Sequence, residues 1–538
     1  MTPEDARTLL TPEALALLDS LPPIESPEDV LRISTRLHKE GIAPALIAAA
    51  LTQAKLRRRA RVKFGEFSDR MLLTEDGVQQ ATRLPVAAAH ASRLTRAGIR
   101  RVADLGCGIG ADSLAFAAAD VDVLAVDADP VTAAFAGFNL APWPNVRVRQ
   151  ARAEDVDLAR ELGGLSDDHS VDETSTDGRD DSTERRSDSA RAADDSNARS
   201  SETDGGTDMR RDSGSSNAHS SDARSRTQGQ STGAVFLDPA RRVAETSGST
   251  SHEHAHNRAP GRGRGSHRTW NPEQFSPSLD WVFEVAHRWP TGVKLGPGLP
   301  HELIPDDAEA EWVSDNGNVV EVSLWFGALT EHPGARSALL HDDTGWHRIV
   351  SDGSDPQVGS LQRWLYEPDG AVIRARALGT LAQQHDLSTI DDTIAYLTGS
   401  ELVESPFMRG FEVLDDLPFD ERKVKARLVE LGVPRVTVKK RGADIDPAAL
   451  AKQWNRQLGK ALGKALGKSA ASATIMTADK QVDSGPADRH ASADAADESG
   501  TTTTSAGPTD RSGRTTGEAI VFVTRVAGRH RAIIARRI

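Results

Sequence analysis

The chain has 538 residues, room for two or three domains, yet only 4% are aromatic and the net charge is −14. That balance excludes a general nucleic-acid coat protein, and a single cysteine, Cys107, excludes an intrachain disulfide framework and suits a reducing cytoplasm. No window approaches the ~20 apolar residues that span a bilayer. The acidic, proline-containing N-terminus lacks the order of a signal peptide, so no membrane partner is expected.

Residues 1–60 read as a helical cap. Ser26-Pro27-Glu28-Asp29 combines an N-cap serine, an N1 proline and an N3 acid. Gly41 stops that helix and Pro44 opens another. Its basic end, Arg57-Arg58-Arg59 and Arg61, either touches phosphates or is an ordinary solvated helix end. From residue 84 a helix leads into a rhythm of apolar runs at 101–105, 121–127, 145–149, 233–238, 291–296 and 319–326, separated by helical patterns. This predicts an α/β fold with a mostly parallel, Rossmann-like sheet. Asn316-Gly317 predicts a hairpin turn, and with it an antiparallel pair ending the sheet.

Residues 163–232, 243–268 and 469–516 are rich in Ser, Asp, Arg, Gly and Thr. They cannot bury enough apolar surface to offset their ordering entropy, so long disordered insertions are expected there. The HEHAH run at 252–256 lies in one of them, without a scaffold to fix ligand geometry, and no metal is expected. Order resumes in a small α+β unit. A helix capped by Asp369 carries Val372, Ile373, Leu378 and Leu381, and another runs from Asp420 to Gly432. A strand then buries Val436 and Val438 while pointing Arg435, Thr437 and Lys439 outward, and two closing strands meet at Ala527-Gly528.

The chemistry is concentrated at strand ends. Asp104-Leu105-Gly106-Cys107-Gly108-Ile109-Gly110 ends a strand in a glycine turn that opens a helix, so backbone can approach a ligand closely. The carboxylate of Asp104 is unsuited to a dinucleotide pyrophosphate and suited to the ammonium and sulfonium of S-adenosylmethionine. The pattern D-x-G-x-G-x-G resembles motif I of class I methyltransferases, with Asp104, Gly106, Gly108 and Gly110 as cofactor residues. Asp127, at the end of the second strand, is placed for both ribose hydroxyls, a role shared by either nucleotide family. Asp155 would by resemblance meet the adenine amino group; as an acidic start to the next helix it would need no ligand. Cys107 reads as a small filler of the turn.

The fourth strand runs into Asp238-Pro239-Ala240-Arg241-Arg242, which resembles motif IV, where many amino-group methyltransferases write D/N-P-P and an aromatic residue. Ala240 replaces the second proline and Arg241 the aromatic. Asp238 and Pro239 remain candidates to orient or deprotonate a nucleophile, and Arg241 to hold a phosphate.

Taken together, RVADLGCGIG, AVDADP, LDPARR, VPRVTVKKRG and VFVTRVAGRHRAIIARR resemble a group of bacterial class I methyltransferases with a C-terminal THUMP-like domain. The resemblance implies a helical cap over 1–60, a methyltransferase domain over 61–400 and a THUMP-like domain over 401–538. It also implies S-adenosylmethionine as cofactor and RNA as substrate, since true THUMP domains accompany enzymes that modify transfer RNA. Eight cations against two acids between 421 and 441, among them Arg435, Lys439, Lys440 and Arg441, fit a phosphate-binding face, or a solvated one. Methylation of a metabolite or protein, and a non-catalytic cofactor- or RNA-binding role, are the alternatives.

Overall fold

The computed structural model describes residues 3–163, 233–241, 275–461 and 517–538. The three insertions expected to be disordered, and the HEHAH run, lie outside the described residues, Gly163 excepted.

Four helices open the chain: α1 (Pro3–Leu9), α2 (Pro12–Ser20), α3 (Pro27–Lys39) and α4 (Pro44–Phe64), each with proline in its first turn, where no N–H is needed. The box before α3 forms as expected: the Asp29 N–H donates to the Ser26 hydroxyl and the Ser26 N–H to the Asp29 carboxylate. Two buried amides fasten the segment after α4. Gln53 of α4 exchanges both bonds with the backbone of Leu73 (2.8 and 2.9 Å), and Asn139 does the same with Leu72 (2.8 and 3.0 Å). The four arginines ending α4 are engaged close by. Arg57 donates to Met71 O, Arg58 to the carbonyls of Ile24 and Glu25, while Arg59 pairs with Glu75 and Arg61 with Asp69.

After α5 (Glu75–Gln80) and α6 (Leu84–Arg96), the parallel strands arrive where expected: β1 (Arg101–Leu105), β2 (Asp122–Asp127), β3 (Val146–Gln150) and β4 (Gly233–Leu237). The helices α7 (Ala111–Ala118), α8 (Pro130–Leu140) and α9 (Leu158–Leu162) connect them. A two-stranded ladder, β5 (Ala240–Arg241) with β6 (Phe275–Ser276), precedes α10 (Leu279–Ala286) and β7 (Thr291–Leu295).

The hairpin at Asn316-Gly317 joins β8 (Glu309–Asp315) to β9 (Asn318–Phe326), but it does not end the sheet. β10 (Arg336–Asp342) and β11 (Gly345–Val350) extend it, giving nine strands in the order β11-β10-β8-β9-β7-β4-β1-β2-β3. The reason lies in β8, buried at all seven positions, which needs a neighbour on both edges. β10 carries little signal in the sequence because its apolar core, Ala338-Leu339-Leu340, is short and ends in His341-Asp342.

The second sheet has seven strands, ordered β13-β14-β12-β15-β18-β17-β16. These are β12 (Trp364–Pro368), β13 (Ser388–Asp391), β14 (Ile394–Gly399), β15 (Met408–Pro418), β16 (Val436–Lys440), β17 (Ala519–Val526) and β18 (Arg529–Arg537). The helix expected after Asp369 is two: α11 (Gly370–Arg374) and α12 (Leu378–Gln384) are separated by Arg376 in a left-handed conformation, φ 55°. Further along, α13 (Glu421–Glu430) and α14 (447–461) bury Val424, Leu428 and Trp454 against β16 and β17. One apolar cluster runs from Leu237 and Val293 through Trp312 to Tyr366, Leu397 and Met408, so strands of the two sheets share a core.

Candidate active site

β1 ends at Leu105, and the chain then turns through Gly106, Gly108 and Gly110, all at positive φ (90°, 57° and 89°), before α7 begins. At Gly106 glycine is needed twice over, since a Cβ would also lie 2.9 Å from Asp238 O. The turns after β1 and β4 therefore pass backbone to backbone. Asp127 ties in the turn after β2: its carboxylate accepts from the N–H of Gly108 (3.0 Å) and of Asp129 (2.9 Å).

These turns wall a cavity of about 320 Å³ at the carboxyl ends of the parallel strands, where such sheets bind ligands. Gly106, Gly108, Asp127 and Asp238 line it together. Among the described residues, Asp76, Asp112, Asp127, Asp129, Glu154 and Asp238 face it against Arg152 and Lys294. That charge balance repels a pyrophosphate and suits a ligand carrying an ammonium and a sulfonium.

Not every sequence candidate reaches the cavity. Asp104 is 1% exposed beneath the turn and accepts a 2.5 Å bond from Ser113. Burial, with Asp112 nearby, pushes its carboxyl up to about 8. Gly110 serves as N-cap of α7, Asp155 is exposed beside the lining residue Glu154, and Pro239 is buried outside the lining. Arg241 contributes its backbone to the ladder with Phe275. Cys107 is a buried thiol pushed further up by burial and by Asp104, in keeping with a filler.

A buried polar cluster that sequence reasoning missed stands behind Asp238. β4 and β7 run parallel with Leu237 opposite Val293, so the next residue of each, Asp238 and Lys294, emerge side by side. The Lys294 ammonium lies 2.5 Å from Asp238 Oδ2 and 3.6 Å from Asp112 Oδ2, and donates to the Thr82 hydroxyl at 2.8 Å. Thr82 in turn donates to Asp112 (2.6 Å). The His90 ring bridges Asp112 (2.9 Å) and Glu321 (2.8 Å).

Burial pushes the Asp238 carboxyl up against the pull of Lys294. Burial likewise opposes charge on Lys294, yet Asp238 and Asp112 outweigh it and its ammonium is held. At Asp112 the effects of Lys294 and His90 outweigh burial and lower the carboxyl to about 2. The visible signal in the sequence was a lysine inside the otherwise apolar strand TGVKL, since lysine is almost never buried unpaired.

Comparison with known proteins agrees with this geometry. The chain is 28% identical over 419 residues to uncharacterized S-adenosylmethionine-dependent methyltransferases from two strains of Mycobacterium tuberculosis, covering 76% of this chain and 88% of theirs. The crystal structure of a protein from Porphyromonas gingivalis assigned as a methyltransferase matches with a TM-score of 0.55 and 17% identity over 98% of each chain, which shows the fold. Residues 408–475 match the family described as THUMP domain-like, and residues 2–60 a domain of unknown function, DUF8688. The chain is an S-adenosylmethionine-dependent methyltransferase.

The methyltransferase's THUMP-like region carries the basic run of the sequence, and many of its charges are already paired. Lys439, expected to point outward, pairs with Glu367 and lies over the rings of Phe411 and Phe522. Arg441 donates to Ala395 O and stacks on Tyr396, Arg427 pairs with Asp415 and Glu430, Arg531 with Asp416 and Arg536 with Glu412. Arg435 and Lys440 are exposed, and Lys440 donates to Ile445 O. Among the described residues of the methyltransferase, no helix is long and apolar enough to cross a membrane.

Proposed function

We propose that this methyltransferase transfers a methyl group from S-adenosylmethionine to an RNA nucleotide in the cytoplasm. The observation that carries the reading is the meeting of Gly106, Gly108, Asp127 and Asp238 in one acidic cavity, on a chain whose residues 408–475 match a THUMP domain-like family. The cofactor's sulfonium supplies an already activated methyl group, so positioning of the nucleophile supplies much of the rate. The turn from Gly106 to Gly110 holds the cofactor, Asp127 accepts from its ribose hydroxyls, and Asp104 and Asp155 support this wall from beneath and beside it. Asp238, with Pro239 and Arg241 next to it, receives the substrate.

The organisation that fits is a helical cap over 1–60, a methyltransferase domain over 61–400 and a THUMP-like domain over 401–538, whose sheet is completed by strands from residues 364–399. Arg435, Lys439, Lys440 and Arg441 hold the RNA backbone, with Arg435 and Lys440 the more accessible pair. The test is transfer of labelled methyl to total RNA from a strain lacking the gene. Wild-type RNA and Asp238→Ala are the controls. Label confined to RNA from the deletion strain, and lost with Asp238→Ala, is the expected result. Label that instead enters protein or metabolite extracts removes RNA from the reading and leaves methyl transfer standing.

A further inference from the structure

We propose that the nucleophile is the ribose 2′-hydroxyl, with Asp238 as the acceptor of its proton and Lys294 as the cation that stabilises the developing oxyanion. The inference rests on the RNA reading and deepens it from an RNA nucleotide to one atom.

Three observations lead there. First, the acid at the end of β4 does not face the cavity as a lone carboxylate. Its Oδ2 is 2.5 Å from the Lys294 ammonium, and both side chains line the cavity. When an amine attacks a sulfonium, positive charge builds on the nitrogen, and a fixed ammonium alongside opposes it. When a hydroxyl attacks, the oxygen must shed its proton and gather negative charge, and the same ammonium favours it. The ammonium thus favours the hydroxyl, whose proton the neighbouring carboxylate can take, over the amine.

Second, Lys294 is built to remain charged. Asp238, Asp112 and Glu321 all favour its ammonium, and Thr82 accepts one of its N–H bonds at 2.8 Å. It is therefore a donor and not the base, which leaves Asp238, a third exposed toward the cavity, as the group able to accept a proton. Third, the lining includes no Phe, Tyr or Trp among the described residues, whereas enzymes that work on a base usually stack it on a ring. A ribose needs no such platform.

The step balances without a further reactant. The hydroxyl O–H bond breaks and its proton passes to the Asp238 carboxylate. The new O–CH₃ bond forms as the methyl–sulfur bond breaks, and the electron pair of that bond stays on sulfur, which ends neutral. Asp238 then releases the proton to solvent through the open cavity.

The deciding experiment needs no variant. Wild-type enzyme labels RNA from the deletion strain with methyl-tritiated S-adenosylmethionine, and the product is split by alkali and by nucleases. A 2′-O-methyl group blocks alkaline cleavage, so label in alkali-stable dinucleotides, running as ribose-methylated nucleosides after enzymatic digestion, is the expected result. Label in mononucleotides carrying a methylated base overturns the oxygen assignment while the RNA reading stands. Label in protein or metabolites alone, or in no pool despite binding of S-adenosylhomocysteine, overturns both.

For Lys294, Lys294→Met is expected to lower kcat by about 10²–10³-fold. KM for RNA and the affinity for S-adenosylhomocysteine should stay unchanged, with partial recovery in Lys294→Arg. Equal losses in both variants, or a loss confined to KM, would remove it from the chemistry.

Discussion

Two charged regions of this molecule invite comparison: the cluster behind Asp238 and the basic run of the THUMP-like region. The first is assembled from Thr82, His90, Asp112, Asp238, Lys294 and Glu321, residues far apart in the chain and brought together by strand register and by the helices α6 and α7. The second is contiguous in sequence, and there Lys439 and Arg427 are bound to nearby acids. A run of like charge is conspicuous in a sequence but says little about how many of its members are free to meet a partner. A dispersed buried cluster is inconspicuous, yet its charges act in a low dielectric where each interaction is strong.

The difference should appear first in stability. Asp112→Ala removes a counter-charge from both Lys294 and His90, each of which it contacts in the interior. Unpairing buried ions in this way costs about 3–5 kcal/mol, so its urea midpoint should fall steeply. A fall no larger than that of a surface variant would mean that the cluster is more solvated than its geometry implies. Next is Gly106→Ala, which forces a side chain into a positive-φ turn and within 2.9 Å of Asp238 O. Strain of about 1–3 kcal/mol is expected, with binding of S-adenosylhomocysteine lost in titration calorimetry. Retained binding would show that the turns after β1 and β4 can part without harm.

The same cluster predicts a pH signature. Burial alone would lower the His90 imidazolium, but Glu321 and Asp112 outweigh it and raise its pKa to about 10, from 6.5 for a free side chain. Lys294, facing Asp112 from the other side, is the opposing cation. The folded state therefore holds a proton that the unfolded state gives up. The stabilisation from His90 is complete below pH 6.5 and drains away as pH rises toward 10. Denaturation of the wild type and of His90→Gln at about pH 6, 8 and 10 should show stability falling across this window in the wild type and a flatter course in the variant. Parallel curves would mean that His90 is neutral in its pocket.

Much of the architecture was legible because it rests on local signals. Prolines and a capping box mark α3 and α4, apolar runs mark β1 to β4, and Asn316-Gly317 marks the hairpin. The glycine turn and Asp127 were legible for the same reason, since φ and close approach leave few residue choices. The rest depends on pairing between distant segments. β10 and β11 have no strong pattern of their own and exist because β8 offers an edge that must be covered. Asp104 matched a motif letter by letter, but the pleat turns its side chain inward onto Ser113 and away from the cavity. Lys294 matched no motif, although the register of β4 and β7 sets it beside Asp238.

The smallest expected effects belong to the basic run, and they test whether its exposed members do anything at all. Arg427→Ala breaks ion pairs with Asp415 and Glu430 that are open to solvent, so stability should change by about 0–1 kcal/mol and RNA affinity hardly at all. Arg435→Glu and Lys440→Glu alter exposed positions flanking and ending β16. If these hold phosphates, each reversal weakens RNA binding across sequences alike and lowers the slope of log affinity against log salt by about one per lost contact. A filter-binding titration over a range of salt concentrations separates the cases. An unchanged slope would make the basic run an ordinary solvated surface, and the recognition of RNA would then have to come from the cavity mouth itself.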